Sequence, residues 1–335
     1  PTLAFDLDVV PVREEERNAR YLDLYFDVVQ NRFVGRHAAN LSLALRHERV
    51  DPLYRTVTAP VQSDIDQNVI EVSSFFGPLQ VQLAHARAED NLDDLPSVLT
   101  TKTRRSNANL GLALNSLFVE SNAFTRWLPL FAYNFDRIHQ FGTGVPINSG
   151  FSESHVPDQV SVRHGANLSW QGNAWMLGYR LEFSEQDNRQ PGRQNADFEH
   201  VLHGVSLSVS LFQGFDVSFD VSRERSYSVE AMRYDRNRNY GFGLAWNITK
   251  ALSLNGTVAL TESYDEPRTS ENESTNLDLS LSYRLHWQTG QGRGIAGQLF
   301  VRYADYDMSW RDRLFGFEND NRSRIVIGGI NFSMQ

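Results

Sequence analysis

In FDVSFDVS, residues 215–222, aspartate and serine alternate with large apolar residues, so Asp216, Ser218, Asp220 and Ser222 share one face of an extended chain. The same spacing recurs along the sequence. Asp6, Asp8, Asp23, Asp27, Arg46, Glu71, Asp136, Arg163, Arg180, Glu182, Asp216, Asp220, Asp278, Arg284 and Arg302 all fall on the polar side of an alternating stretch. Charges set singly among Ser, Gly, Ala, Asn and Thr do electrostatic work: they bias passing ions, or stiffen a wall by pairing between neighbouring strands. For any one residue the stiffening role is the commoner of the two. Strings that carry covalent chemistry are missing. GRGIAG at 292–297 matches the dinucleotide fingerprint, but QLFVRYADY follows it as a strand and not a helix. No His-Glu-x-x-His, P-loop or nucleophile-elbow string occurs. Histidines such as His139, His155, His164, His200 and His203 leave a Ser/His or Asp/His pair across strands open, but no enzyme is expected.

Composition narrows the classes further. The 335 residues carry a formal net charge of -9, which argues against a nucleic-acid partner. With no cysteine there are no disulfides or thiolate sites, and neither a cofactor nor a metal is expected. Mean hydropathy is -0.43 and no apolar run approaches the ~20 residues of a spanning helix, which excludes a helical membrane protein and leaves a β-barrel untouched. Lys102 and Lys250 are the only lysines. Guanidinium forks suit carboxylates, sugar acids and phosphates, although a codon bias gives the same preference.

The elements that must hold these residues are strands. SLSVSLFQGFDVSFDVS, residues 206–222, is a hairpin with Leu207, Val209, Leu211, Phe215, Val217, Phe219 and Val221 on one face and a break at Gln213-Gly214. Sixteen such segments fill the chain, about one per 21 residues, starting with Leu3, Phe5, Leu7 and Val9. No helical periodicity and no linker interrupts them, so residues 1–335 read as one domain. The chain opens at Pro1 without a leader, and the expectation is the C-terminal domain of a longer chain.

The connections alternate. Short ones fall near 31–36, 77–78, 118–125, 171–172, 213–214, 249–250 and 288–293; long polar ones near 11–19, 48–66, 88–104, 139–157, 185–199, 225–236, 262–276 and 305–321. Trp127, Trp170, Trp175, Phe212, Phe215, Trp246 and Trp287 sit beside short connections, while Tyr227, Tyr264, Tyr303 and Tyr306 lie toward the long ones. A β-sandwich has no reason to gather its long loops at one end or its aromatics in two belts. A sheet crossing lipid has both. Near the end, Gly329 is followed, after two free positions, by apolar Phe332 and Met334 spaced by one. This pattern resembles the last-strand assembly signal of Gram-negative outer-membrane proteins, except that Met334 and Gln335 stand where that signal has a terminal phenylalanine.

On these residues the chain resembles the Gram-negative outer-membrane β-barrels over its whole length. Sixteen strands match the general porins and the barrels of exopolysaccharide exporters. The resemblance implies an all-β, transmembrane, antiparallel up-and-down barrel of about sixteen strands, with short periplasmic turns and longer extracellular loops. It implies an outer-membrane location, contact with membrane lipid and lipopolysaccharide, and folding by the barrel-assembly machinery. Periplasmic domains or partner subunits are further expected partners. The charged row would line a channel for solutes or a secreted polymer. Glu89, Asp90, Asp93 and Asp94, in the third long loop, would face a constriction if that loop folds inward; a solvated loop is the plainer expectation. The competing readings are a structural anchor with a plugged barrel, and an enzyme with its site at the rim.

Overall fold

The computed structural model describes residues 16–55, 62–118, 123–288 and 294–334. Alternation yields strands throughout: β1 (Ala19–Val34), β2 (His37–Val50), β3 (Ile65–Phe76), β4 (Leu79–Glu89), β5 (Thr100–Ala113), β6 (Leu130–Thr143), β7 (Asp158–Gln171), β8 (Trp175–Asn188), β9 (Phe198–Phe212), β10 (Phe215–Ser228), β11 (Arg233–Asn247), β12 (Leu252–Asp265), β13 (Ser270–Gln288), β14 (Gly294–Asp312) and β15 (Phe317–Met334). They form one sheet in which every strand pairs antiparallel with its neighbours in sequence, an up-and-down order from β1 to β15. The expected segment over residues 3–9, with Asp6 and Asp8, lies outside the described residues.

The register is uniform enough to fix which side chains share a face. Only β1–β2 and β9–β10 carry irregularities, the first near Asp27–Arg32 and the second beside the Gln213-Gly214 turn. Gly214 sits at φ +82, a conformation that favours glycine and closes that two-residue turn.

The two ends of the sheet differ as expected through β9 and then depart. Residues 51–64, 90–99, 144–157 and 189–197 are long polar connections at one end. From β10 onward the polar stretches at that end are strand, closed by tight turns at 229–232, 266–269 and 313–316. Alternation of hydrophobicity stops there, but the ladder does not, because cross-strand ion pairs take over. Arg311 Nη2 lies 2.5 Å from Glu318, Arg236 Nη2 2.6 Å from Glu266, and Arg322 Nη2 2.7 Å from Asp305. The other end has one exception: β5 and β6 are joined through a 3-10 turn, Leu114–Leu117, and a one-turn helix, Ala123–Arg126.

There is almost no core. Val50, Val160 and Tyr264 are the buried apolar side chains among the described residues. Large apolar residues stand exposed along the strands, including Phe219, Val221, Val301, Ile330 and Phe332, the last at 61%. One sheet with no second layer leaves this face unburied in water, where contiguous apolar patches beyond a few hundred Å² are rare. The greasy face is built for lipid.

Candidate functional site

Cross-strand register places the polar residues. Asp23 opposes Arg46, Ala44 opposes Glu71, Asp136 opposes Arg163, Asn167 opposes Arg180, Gly165 opposes Glu182, and Ser206 opposes Asp220. Asp27, Asp216, Asp278, Arg284 and Arg302 carry the same parity. Every described member of the expected row therefore lies on one face, opposite the apolar rows.

On that face the charges are linked rather than free. Arg105 Nη2 reaches Asp136 at 2.6 Å, and Glu182 accepts from Arg163 at 2.8 Å and Arg180 at 2.5 Å. Arg302 Nε donates to Asp278 at 2.7 Å, and Arg46 lies 3.5 Å from Asp23. Three arginines against two carboxylates on β5–β8 leave that wall one positive charge in excess. A recess of about 560 Å³ opens there, lined by Arg105, Asn107, Asn134, Asp136, Arg163 and Ser184. Arg105, Asn107 and Asn134 escaped the sequence reading. Their signal was position alone, since neutral amides carry no charge pattern and Arg105 follows Arg104 on the opposite face.

The same face changes character at its end. Phe300, Ile325 and Ile327 sit on it in β14 and β15, where polar residues were expected. Tyr306 also faces this side, so of the four tyrosines expected toward the long connections Tyr227, Tyr264 and Tyr303 face outward.

The aromatic belt assembles at the short-turn end of the apolar face. Phe212 stacks on Phe215 at 4.7 Å, Phe215 meets Trp246 edge-on at 5.7 Å, and Trp127 lies 5.5 Å from Trp175. Trp170 shares the face through its pairing with Leu177. Trp287 opposes Ile295 and Met334 opposes Ile295 from the other side; both side chains lie outside the described residues. Phe332 lies across Gly297, and Gly329 leaves room for the Phe300 ring.

Three of the four carboxylates of the third long loop are engaged away from the polar face. Glu89 ends β4 on the apolar-face side, 3.0 Å from Lys102. Asp90 accepts from the Thr101 amide, Asp93 pairs with Arg17 at 3.0 Å, and at Asp94 it is the backbone amide that donates to the Asn91 carbonyl, closing a turn. None of these contacts is to an arginine of the polar face.

Histidine pairs of the kind a rim enzyme needs do occur. His139 Nε2 lies 2.8 Å from Asp158, and His200 bridges Glu224 at 2.8 Å on Nε2 and Ser184 at 3.4 Å on Nδ1. The serine contact is at the far limit of a hydrogen bond, long for a base drawing a proton from a nucleophile. No cluster of metal-ligating residues exists among the described residues.

No family model and no curated protein matches the chain. Solved structures do. The chain is similar to the siderophore receptor PirA of Acinetobacter baumannii, at 9% identity and a TM-score of 0.49, covering 95% of this chain and 57% of that one. It is also similar to OmpT, an outer membrane protein of Vibrio cholerae, at 7% and 0.32, covering 95% and 96%. OccAB4 of Acinetobacter baumannii gives 9% and 0.32, covering 98% and 95%. The chain thus spans little more than half the receptor's length. With every TM-score below 0.5 these likenesses carry no argument, and the reading rests on the sheet's own chemistry.

Proposed function

We propose that the chain is a channel of the Gram-negative outer membrane, passing hydrophilic solutes along its polar face. The observation that carries this reading is the sorting of side chains: the described strands turn apolar rows and an aromatic belt one way, and an ion-paired, amide-rich wall the other. A wall of that polarity has no use against lipid, and a barrel of about sixteen strands would enclose more space than side chains fill. The excess positive charge on β5–β8 gives anionic groups of a solute or of a secreted polymer such as an exopolysaccharide a local foothold, on a face where the carboxylates Asp23, Asp27, Glu71, Asp216, Asp220 and Asp278 otherwise outnumber the arginines.

Single-channel conductance of the purified chain in planar bilayers, with selectivity from reversal potentials, tests the reading. Large, steady openings are expected. Correctly folded protein that never conducts would sink it. A second reading, a plugged barrel acting as an anchor for partners, is favoured by the apolar strip of Phe300, Ile325 and Ile327, which would suit a covering segment. It predicts silence in the same experiment. The rim-enzyme reading rests on Ser184, His200 and Glu224, and predicts labelling of Ser184 by a fluorophosphonate.

A further inference from the structure

Four pairs of arginines stand directly opposite one another across strands: Arg20 and Arg49, Arg87 and Arg104, Arg223 and Arg238, Arg225 and Arg236. Like charges so placed repel. All four pairs lie on the apolar face, toward the polar-connection end, and the described residues contain no such pair on the polar face. Carboxylates also oppose on the apolar face, Glu185 with Glu199, Glu262 with Glu273 and Asp66 with Glu89. Asp66 lies 3.4 Å from Arg49, but no arginine pair is made neutral by them.

The densest group is on β10 and β11. Val221 and Tyr240 form the last apolar row there, and the next outward row is Arg223 with Arg238, followed by Arg225 with Arg236. On the β12 side Glu262 lies 3.3 Å from Arg238 and Glu266 2.6 Å from Arg236. On β10 nothing answers. Arg223 has no hydrogen bond or ion pair among the described residues, and Arg225 only covers the Tyr234 ring at 5.0 Å. The Arg236 Nε is buried without an acceptor. Two cations in excess, an orphaned donor and a repulsive register describe a site missing its anion.

We propose that this quartet binds the phosphates of an outer-leaflet glycolipid headgroup of the lipid A type. The proposal rests on the membrane reading above. Position selects a lipid over a soluble anion, because the arginines begin one row beyond the apolar residues that acyl chains would cover. Rows about 7 Å apart and strands about 5 Å apart make a patch wide enough for two phosphates.

The test titrates the full chain in detergent with bis-phosphorylated lipid A, read by native mass spectrometry. The Arg223→Gln/Arg225→Gln double variant should bind at least about tenfold more weakly, as expected from losing two charge-assisted contacts. Arg193→Gln, in the 189–197 connection, should bind like the unchanged chain. Heat-modifiable gel migration checks that each variant is folded. Equal binding by the folded double variant overturns the proposal. So does equal binding of dephosphorylated lipid A, and so does displacement by inorganic phosphate at matching concentration, which would assign a soluble anion. Conductance without glycolipid reads the channel separately: a chain that conducts but ignores the phosphates loses only this site, and one that binds but stays silent loses only the channel.

Discussion

Glu182 is the carboxylate on which the polar wall turns, since Arg163 and Arg180 both donate to it. Glu182→Gln leaves two guanidinium groups facing one weak acceptor. At ~7 Å in water a unit charge is worth about 0.6 kcal/mol to a passing ion, roughly a threefold change in local concentration. Reversal potentials should therefore shift toward anions by about that factor, and an unchanged selectivity would place this wall outside the conduction path. Asp305 makes a second prediction. It lies beyond the last apolar row of β14 and β15, Tyr303 with Val326, at the apolar boundary marked by Leu277 opposite it on β13. It is held at about 2, from an ordinary 3.8, by the hydrogen bond from Arg322, against some burial and with help from Tyr303 and the charges of Arg322 and Arg324. A carboxylate depressed in the folded state stabilises above its ordinary value and loses that contribution as pH falls from about 4 toward 2. Hydrogen exchange in the outer halves of β14 and β15, corrected for intrinsic rate, should quicken over that window in the unchanged chain and not in Asp305→Asn. At this scale the sequence was half legible. Alternation gave the face of Asp23, Arg163 and Asp278, because parity survives wherever the ladder is regular. It could not give partners, since pairing depends on stagger between strands, and so Arg105 with Asp136 and the opposed arginines were invisible.

Elements were more legible than their ends. The Gln213-Gly214 turn was evident because a two-residue break between alternating runs has few solutions, and Gly214 supplies the φ of +82 that one of them demands. The outer ends of β10–β15 were misread as loops, since hydrophobic alternation marks a strand only where one face meets lipid. Beyond the lipid both faces are polar, and register is kept by ion pairs such as Glu271 with Arg313 at 3.1 Å. Limited trypsinolysis separates the two kinds of connection. Arg193 sits in an open polar connection, whereas Arg268 and Arg313 sit in turns one ladder deep and bonded to Glu271. Cleavage should come first at Arg193, with Arg268 and Arg313 surviving until the sheet itself opens. Early cutting at Arg268 would mean that the overshooting strands are frayed in solution.

For the molecule as a whole, parity of strand direction sets a condition that no single strand reveals. β1 leaves the polar-connection end and runs to the turn at 35–36; β15 leaves the turn at 313–316 and runs the same way. Two edges running in the same direction pair only in parallel, while all fourteen pairings of the sheet are antiparallel. Closure by antiparallel pairs alone needs one more strand of opposite direction, beside β1 or beside β15. Residues 3–9 lie outside the described residues, and we propose them for that strand on sequence alone, because Leu3, Phe5, Leu7 and Val9 alternate with Asp6 and Asp8. An arginine on the lipid face near the membrane midplane costs about 2–4 kcal/mol, and a polar-face position tolerates the same charge. Phe5→Arg should therefore cut the heat-modifiable folded fraction and the steady conductance sharply, while Asp6→Arg should leave folding intact and alter selectivity. Equal, negligible effects of both substitutions would show that this segment hangs free of the sheet, and the edges of β1 and β15 would then need covering by another chain or another part of the protein, because unpaired backbone amides and carbonyls do not persist in hydrocarbon.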